Sequence, residues 1–160
     1  YYPSEEIINV YRNKIKMNYS SDALALFDAS EQINKKTVQN LQTRKVKIQE
    51  IMEICKKNKT LIYGAGKRGT ALNYFLHKQG YDVEGYVISD DRSKFDFSYM
   101  KEKIYNLCEI VNKDYCILIA VADNEVRENI KQIGLKVYDV PNYVFPFLKE
   151  YQSIVNNQNL

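Results

Sequence analysis

The chain has 160 residues and a formal net charge of +3, from 23 basic and 20 acidic side chains. Apolar residues make up 45% and charged residues 27%, which excludes wholesale disorder, and so small a charge excludes nucleic acid as the main partner. No window of about 18 apolar residues is present to span a membrane, and no basic-then-apolar start is visible.

The chain opens Tyr1-Tyr2-Pro3 without a Met, as a piece of a larger protein would. The first 58 residues contain no glycine; all six glycines fall between Gly64 and Gly134. Pro3-Ser4-Glu5-Glu6 reads as a helix start, with Ser4 as cap and two acids in the first turn. Ile7, Ile8, Tyr11 and Ile15 follow at helical spacing. Ser20-Ser21-Asp22 is a break and a second cap. Residues 23–36 read as a weaker helix, apolar at Leu24, Leu26, Phe27 and Ile33. Residues 37–57 read as a longer amphipathic helix with a stripe of Leu41, Ile48, Ile51, Met52, Ile54 and Cys55. That stripe predicts burial, against either the rest of the chain or another subunit.

From Thr60 the pattern alternates strand and helix. Strands are predicted at Thr60–Tyr63, 83–88, 103–106, 115–121 and 136–140. Helices are predicted at 67–79, 107–112 and 124–133, with Gly80 and Gly134 stopping the first and last. The stretch 115–121 is the most apolar, as suits the middle of a parallel sheet. Strands alternating with helices imply right-handed βαβ units. Cys55, Cys108 and Cys116 lie in apolar runs without C-x-x-C spacing, and read as buried, reduced thiols of a cytoplasmic protein.

Gly64-Ala65-Gly66-Lys67-Arg68-Gly69 has the G-x-G-x-x-G spacing, after a strand and opening a helix. Gly64 allows the tight turn, Gly66 lets backbone approach a pyrophosphate, and Gly69 lets the helix lie against the strand. Free N–H groups at the helix start, backed by the helix dipole, then hold the anion. The alternative is a glycine-rich turn that serves packing alone. Lys67 and Arg68 oppose the dipole unless an anion is bound. Asp90 lies about twenty residues beyond the last glycine, where an acid can bond a ribose diol or a base N–H. Ser89 and Asp91 flank it. Asp123 and Asn124 follow the apolar strand and either cap the next helix or contact a ligand; Arg127 is one turn on.

Other chemistries lack their residues. His77 is the only histidine and has no Ser or Cys partner at a strand end, so a nucleophilic triad is not expected. No His/Cys/acid group has metal-ligand spacing. Tyr74-x-x-x-Lys78 has dehydrogenase-like spacing but falls on the phosphate-binding helix, where it cannot meet a nicotinamide.

The segments 61–69, 85–90, 104–110 and 117–127 resemble, in order, a small Rossmann-like domain of bacterial surface-polysaccharide enzymes. They are similar to the nucleotide-sugar-binding domain at the N-terminus of hexapeptide-repeat sugar acyltransferases, and to domains appended to glycosyltransferases and some sugar methyltransferases. The resemblance covers roughly residues 59–140. It implies that Gly64, Gly66 and Gly69 line a diphosphate, that Asp90 lies near base or sugar, and that Asp123-Asn124 borders the cleft. The chain departs from the acyltransferases in having no β-helix repeats, hence no acetyl-CoA site, and in its helical N-terminal arm.

The expected architecture is α/β: a parallel sheet of four or five strands, order 3-2-1-4-5, with an α-helical N-terminal extension. The extension, a linker or dimerisation device, takes residues 1–58. A Rossmann-like nucleotide-binding domain takes 59–150, and a polar tail 151–160. The expected function is binding of a nucleotide or nucleotide-diphospho-sugar as a module of a glycan-biosynthesis enzyme, with catalysis in a fused domain and a homo-oligomer as one arrangement. The alternatives are the cofactor half of an NAD(P)-dependent sugar oxidoreductase and a domain that binds nothing and mediates assembly.

Overall fold

The structure, a computed structural model, describes residues 3–89 and 91–158. The chain forms two compact units, one ending at Thr43 and the other beginning at Arg44.

The first unit contains α1 (Glu5–Asn18) and the opening turns of α2 (Ser21–Lys57). Ser4 caps α1 as expected, its Oγ accepting from the N–H of Ile7 at 3.5 Å. Ser20 accepts from the N–H of Ala23 at 3.3 Å. The two helices run antiparallel, with Arg12 bonded to Asp28 at 3.0 Å and Lys35 3.6 Å from Glu5. Of the apolar positions read along these helices, Ile8 is buried, whereas Ile7, Tyr11, Leu26 and Ile33 are exposed.

One expectation is corrected here. Residues 23–36 and 37–57 are not two helices but parts of one continuous helix of 37 residues. No proline or glycine interrupts this stretch, so nothing forces an end. Thr37, read as a start, instead bonds back along the helix, its hydroxyl donating to the carbonyl of Ile33 at 3.0 Å.

The second unit contains the end of α2 and an all-parallel sheet. Its strands are β1 (Thr60–Tyr63), β2 (Gly85–Ile88), β3 (Ile104–Asn106), β4 (Cys116–Ile119) and β5 (Val137–Asp139), in order β3-β2-β1-β4-β5. The helices are α3 (Lys67–Lys78), α4 (Leu107–Ile110), α5 (Asn124–Gln132) and α6 (Val144–Gln158), with a 3₁₀ turn at Arg92–Lys94. The expected fold class and strand order are those observed.

Residues of the central strands are apolar and buried on both faces, as a sheet covered by helices on each side requires. Leu61, Tyr63, Val87, Ile117 and Ile119 pack with Ile110 of α4 and Ile130 of α5. The opposite face carries α3, α6 and the end of α2. There Leu72, Leu76, Ile48, Ile51 and Phe147 are buried, and the rings of Phe75 and Phe147 meet Tyr151 at 5.7 and 6.2 Å. Glu50 of α2 accepts from the Tyr138 hydroxyl of β5 at 2.7 Å. Burying each such aliphatic side chain contributes roughly 1.5–3 kcal/mol.

Two further expectations change. Residues 151–158, read as a polar tail, continue α6. Of the three cysteines, Cys116 is buried and Cys55 half-buried, but Cys108 is exposed, because the first turn of α4 points it outward.

Candidate functional site

All five strands point their C-terminal ends to one edge of the sheet, and the crossovers from β1 and from β4 leave toward opposite sides. The crevice between them is the place where open α/β sheets take ligands. Its first wall is the 64–69 turn. The N–H of Gly64 donates to the carbonyl of Val87 at 3.0 Å. Gly64 has φ +107°, and a Cβ there would lie 2.7 Å from Val121 Cγ1 and 3.2 Å from the Ala120 oxygen. The turn therefore lies directly on the end of β4. At Gly69 a Cβ would stand 1.8 Å from the carbonyl oxygen of Gly64. Only a residue without a side chain lets α3 sit this close to the turn.

Gly66 is different. It is the N-cap of α3, with φ −89° and no side-chain capping bond, and a Cβ there would meet nothing within 4 Å. Neither backbone strain nor packing demands glycine at this position, and Ser or Asp would cap better. What the missing side chain leaves is open space over the N–H groups of Lys67, Arg68 and Gly69, which have no carbonyl partner within their own helix.

Lys67 is exposed beside this opening. Arg68 turns away from it. Its Nη1 donates to Asn142 Oδ1 at 2.6 Å, and its guanidinium lies 5.0 Å from the Phe145 ring centroid. Arg127 of α5 is buried and ties three segments together. Its Nε donates to the Val121 carbonyl at 2.6 Å and its Nη2 to the same Asn142 oxygen at 2.5 Å, while Nη1 lies 3.5 Å from Asp139 Oδ1. Asp139 Oδ2 is 2.7 Å from Lys131. Its Oδ1 is buried and accepts no hydrogen bond, so the Arg127 contact there is electrostatic. The β1–α3, β4–α5 and β5–α6 connections are thus joined by two arginines and one asparagine. The sequence reading included Arg127 but not Asn142, a polar residue after a proline with no spacing signal of its own.

At the end of β2, Ser89 shares a hydroxyl–hydroxyl hydrogen bond with Tyr63, which fixes the ends of β1 and β2 to each other. Asp90, predicted to bind ribose or base, lies outside the described residues. Asp91 Oδ1 accepts from the N–H of Ser93 at 3.0 Å, closing a local turn. A hollow of about 500 Å³ lies beside it, lined by Ser89, Asp91, Asn106, Leu107, Cys108, Val111 and Ile133. Asp123 caps α5, its Oδ1 accepting from the N–H of Val126 at 3.1 Å, and Asn124 opens that helix, exposed. The first of the two roles weighed for Asp123 is therefore filled.

His77 pairs with Asp82 at 2.7 Å on the surface, both side chains largely exposed. Among the described residues no group of three or more His, Cys, Asp or Glu could hold a metal ion. No helix of the described residues is long and apolar enough to cross a membrane. A cavity of about 930 Å³ lies outside the crevice. It lies between α3 and α6, and shares Lys67 and Phe145 with the residues above.

Compared with family models, with curated proteins and with solved structures, the chain matches none of them.

Proposed function

We propose that the chain binds the diphosphate of a nucleotide, in the first place a nucleotide-sugar, on the 64–69 turn, and serves as the binding module of a bacterial glycan-biosynthesis enzyme whose catalytic groups lie elsewhere. The observation that carries this reading is Gly66. Its two neighbours in the motif are explained by contacts of less than 3 Å that any side chain would make, whereas Gly66 is explained by what would occupy the space above it. The N–H groups of a helix start are suited to anionic oxygen, and the dipole behind them adds to the attraction. Lys67 supplies a charge that is unfavourable at that helix end until an anion arrives. Arg68, which turns away from the opening to the neutral acceptor Asn142, is a further cation that a bound phosphate can draw back. The ribose and base would extend over the ends of β1 and β2, past Tyr63 and Ser89. The nucleotide-sugar and polysaccharide context comes from the resemblance of residues 59–140 alone.

A thermal-shift panel of UDP-, GDP- and CDP-sugars, NAD, NADP and S-adenosylmethionine tests the reading. A binder at a hundredfold excess over its Kd stabilises by about 2.7 kcal/mol. A response to UDP- or other nucleotide-sugars supports the proposal. A response to NAD or NADP alone transfers the chain to the oxidoreductase reading, and no response to any nucleotide leaves an assembly domain.

A further inference from the structure

The groove between α3 and α6 has a composition unlike the crevice. Its walls are Ala71, Tyr74, Phe75, Phe145, Pro146 and Leu148. Its charged lining residues are Lys67, Lys78 and Lys149, and no carboxylate is among the described residues that line it. The Thr70 hydroxyl is turned inward to the carbonyls of Gly66 and Lys67, at 2.9 and 3.2 Å. Lys78 stands 5.4 Å over the Tyr74 ring and Arg68 5.0 Å over that of Phe145, so cations already cover a face of each of these rings. At about 930 Å³ the groove has the size of a small-molecule site.

We propose that this groove is a second binding site, for a single-chain amphiphile with a phosphate head: the apolar chain along Tyr74, Ala71, Phe145 and Leu148, the head at Lys78. The charge argument is one-sided. Lys78 at one end of the apolar walls complements an anionic head on an apolar tail, and the described lining offers a cationic ligand no carboxylate to pair with. A flat ring such as a nucleobase would compete with Lys78 and Arg68 for ring faces, whereas an alkyl chain needs only contact area. The site is a concave trough between two helices, not a projecting apolar rim, so it takes a monomeric chain and not a bilayer. It shares Lys67 with the 64–69 turn but does not rest on the nucleotide reading.

Dodecyl phosphate, titrated below its micellar concentration and followed by calorimetry, tests the site. Dodecyl maltoside, inorganic phosphate and UDP serve as controls, with flotation on phosphatidylglycerol vesicles as a separate arm. The wild-type chain is expected to bind dodecyl phosphate about tenfold or more tightly than the maltoside or inorganic phosphate. Ala71→Trp, which places a ring in the trough from an exposed helix position, should weaken this binding about tenfold. Lys78→Glu should weaken it while leaving dodecyl maltoside unaffected. Both variants should give wild-type responses to UDP, so that loss of chain binding with nucleotide binding intact separates the two sites. Equal affinity for the maltoside, unchanged binding by Ala71→Trp, or capture by vesicles without monomer binding would each overturn the proposal.

Discussion

Arg127 Nη2 and Asn142 Oδ1 are 2.5 Å apart, and that same oxygen accepts from Arg68. A neutral acceptor thus holds two guanidinium groups that would bond a carboxylate more strongly. Asn142→Asp is expected to raise stability by about 0.5–1 kcal/mol, since the position is exposed and the pair screened. The same change holds Arg68 more tightly away from the 64–69 turn, so diphosphate affinity should fall. Parallel thermal unfolding and calorimetric titration read the two opposite effects; a fall in both, or a rise in both, contradicts the role given to Asn142.

Removing the buried cation is a different matter. Arg127→Met leaves the Val121 carbonyl without its donor and Asp139 with Lys131 alone. Breaking a buried pair costs about 3–5 kcal/mol, and the remaining lysine reduces this to about 2–4 kcal/mol. Urea unfolding measures it, and a loss under 1 kcal/mol would show that the network adds little.

The three glycines of the turn separate by substitution. Gly69→Ala forces a Cβ against the Gly64 carbonyl and should cost about 3 kcal/mol or more. Gly64→Ala adds left-handed strain to its clash with Val121 and should behave similarly. Gly66→Asp should leave the melting temperature within a few degrees of wild type while abolishing diphosphate binding, because its carboxylate takes the anion's place. Intact binding by this variant would falsify the location of the phosphate site.

The Glu50–Tyr138 pair gives a pH dependence. The Tyr138 hydroxyl, with Lys47 at 3.2 Å, holds the Glu50 carboxyl below its usual 4.5, against the opposing effect of burial. A depressed folded value means that the contribution is complete above pH 4.5 and lost as pH falls through the folded value. Tyr138→Phe should therefore cost about 0.5–1 kcal/mol at neutral pH, allowing for a carboxylate that is 42% exposed. The difference from wild type should shrink toward zero in acid. Denaturant curves at neutral and at acid pH check this, and a difference that grows on acidification has the wrong sign.

The cysteines differ in access. Burial pushes the Cys55 and Cys116 thiols up from 9.0, which lowers their thiolate fraction. Iodoacetamide on the native chain should label Cys108 first and Cys116 only on unfolding, as peptide mass spectrometry would resolve. Early labelling of Cys116 would mean that β4 opens locally.

Much of the sheet was readable because its two central strands carry short, mostly apolar runs, the first ending at Gly64 and the second following Asp114. These are residues 60–63 and 116–119. The motif glycines were readable as a set, but only the coordinates separate Gly66 from its neighbours, since that distinction depends on Val121 and the Gly64 carbonyl, contacts made in three dimensions. The continuity of α2 was obscured by the polar stretch Asn34-Lys35-Lys36-Thr37, which interrupts the apolar pattern without interrupting the backbone. The signal for α6 was present, with Val144, Phe147, Leu148 and Tyr151 at helical spacing, but the polar residues after Tyr151 outweighed it. Arg127 and Asn142 meet only because β4, β5 and their loops lie side by side, a proximity that no spacing along the chain reports.

The register that joins β1 to β4 pairs Thr60 with Cys116 and Tyr63 with Ile119. The innermost strand of the sheet therefore finds one neighbour early, in β2, and must wait for the other until more than fifty intervening residues have been made. During synthesis on a ribosome the glycine turn emerges long before the segment that will cover it. Any truncation short of Ile119 leaves the middle of the sheet as an open edge, a template for pairing with another chain.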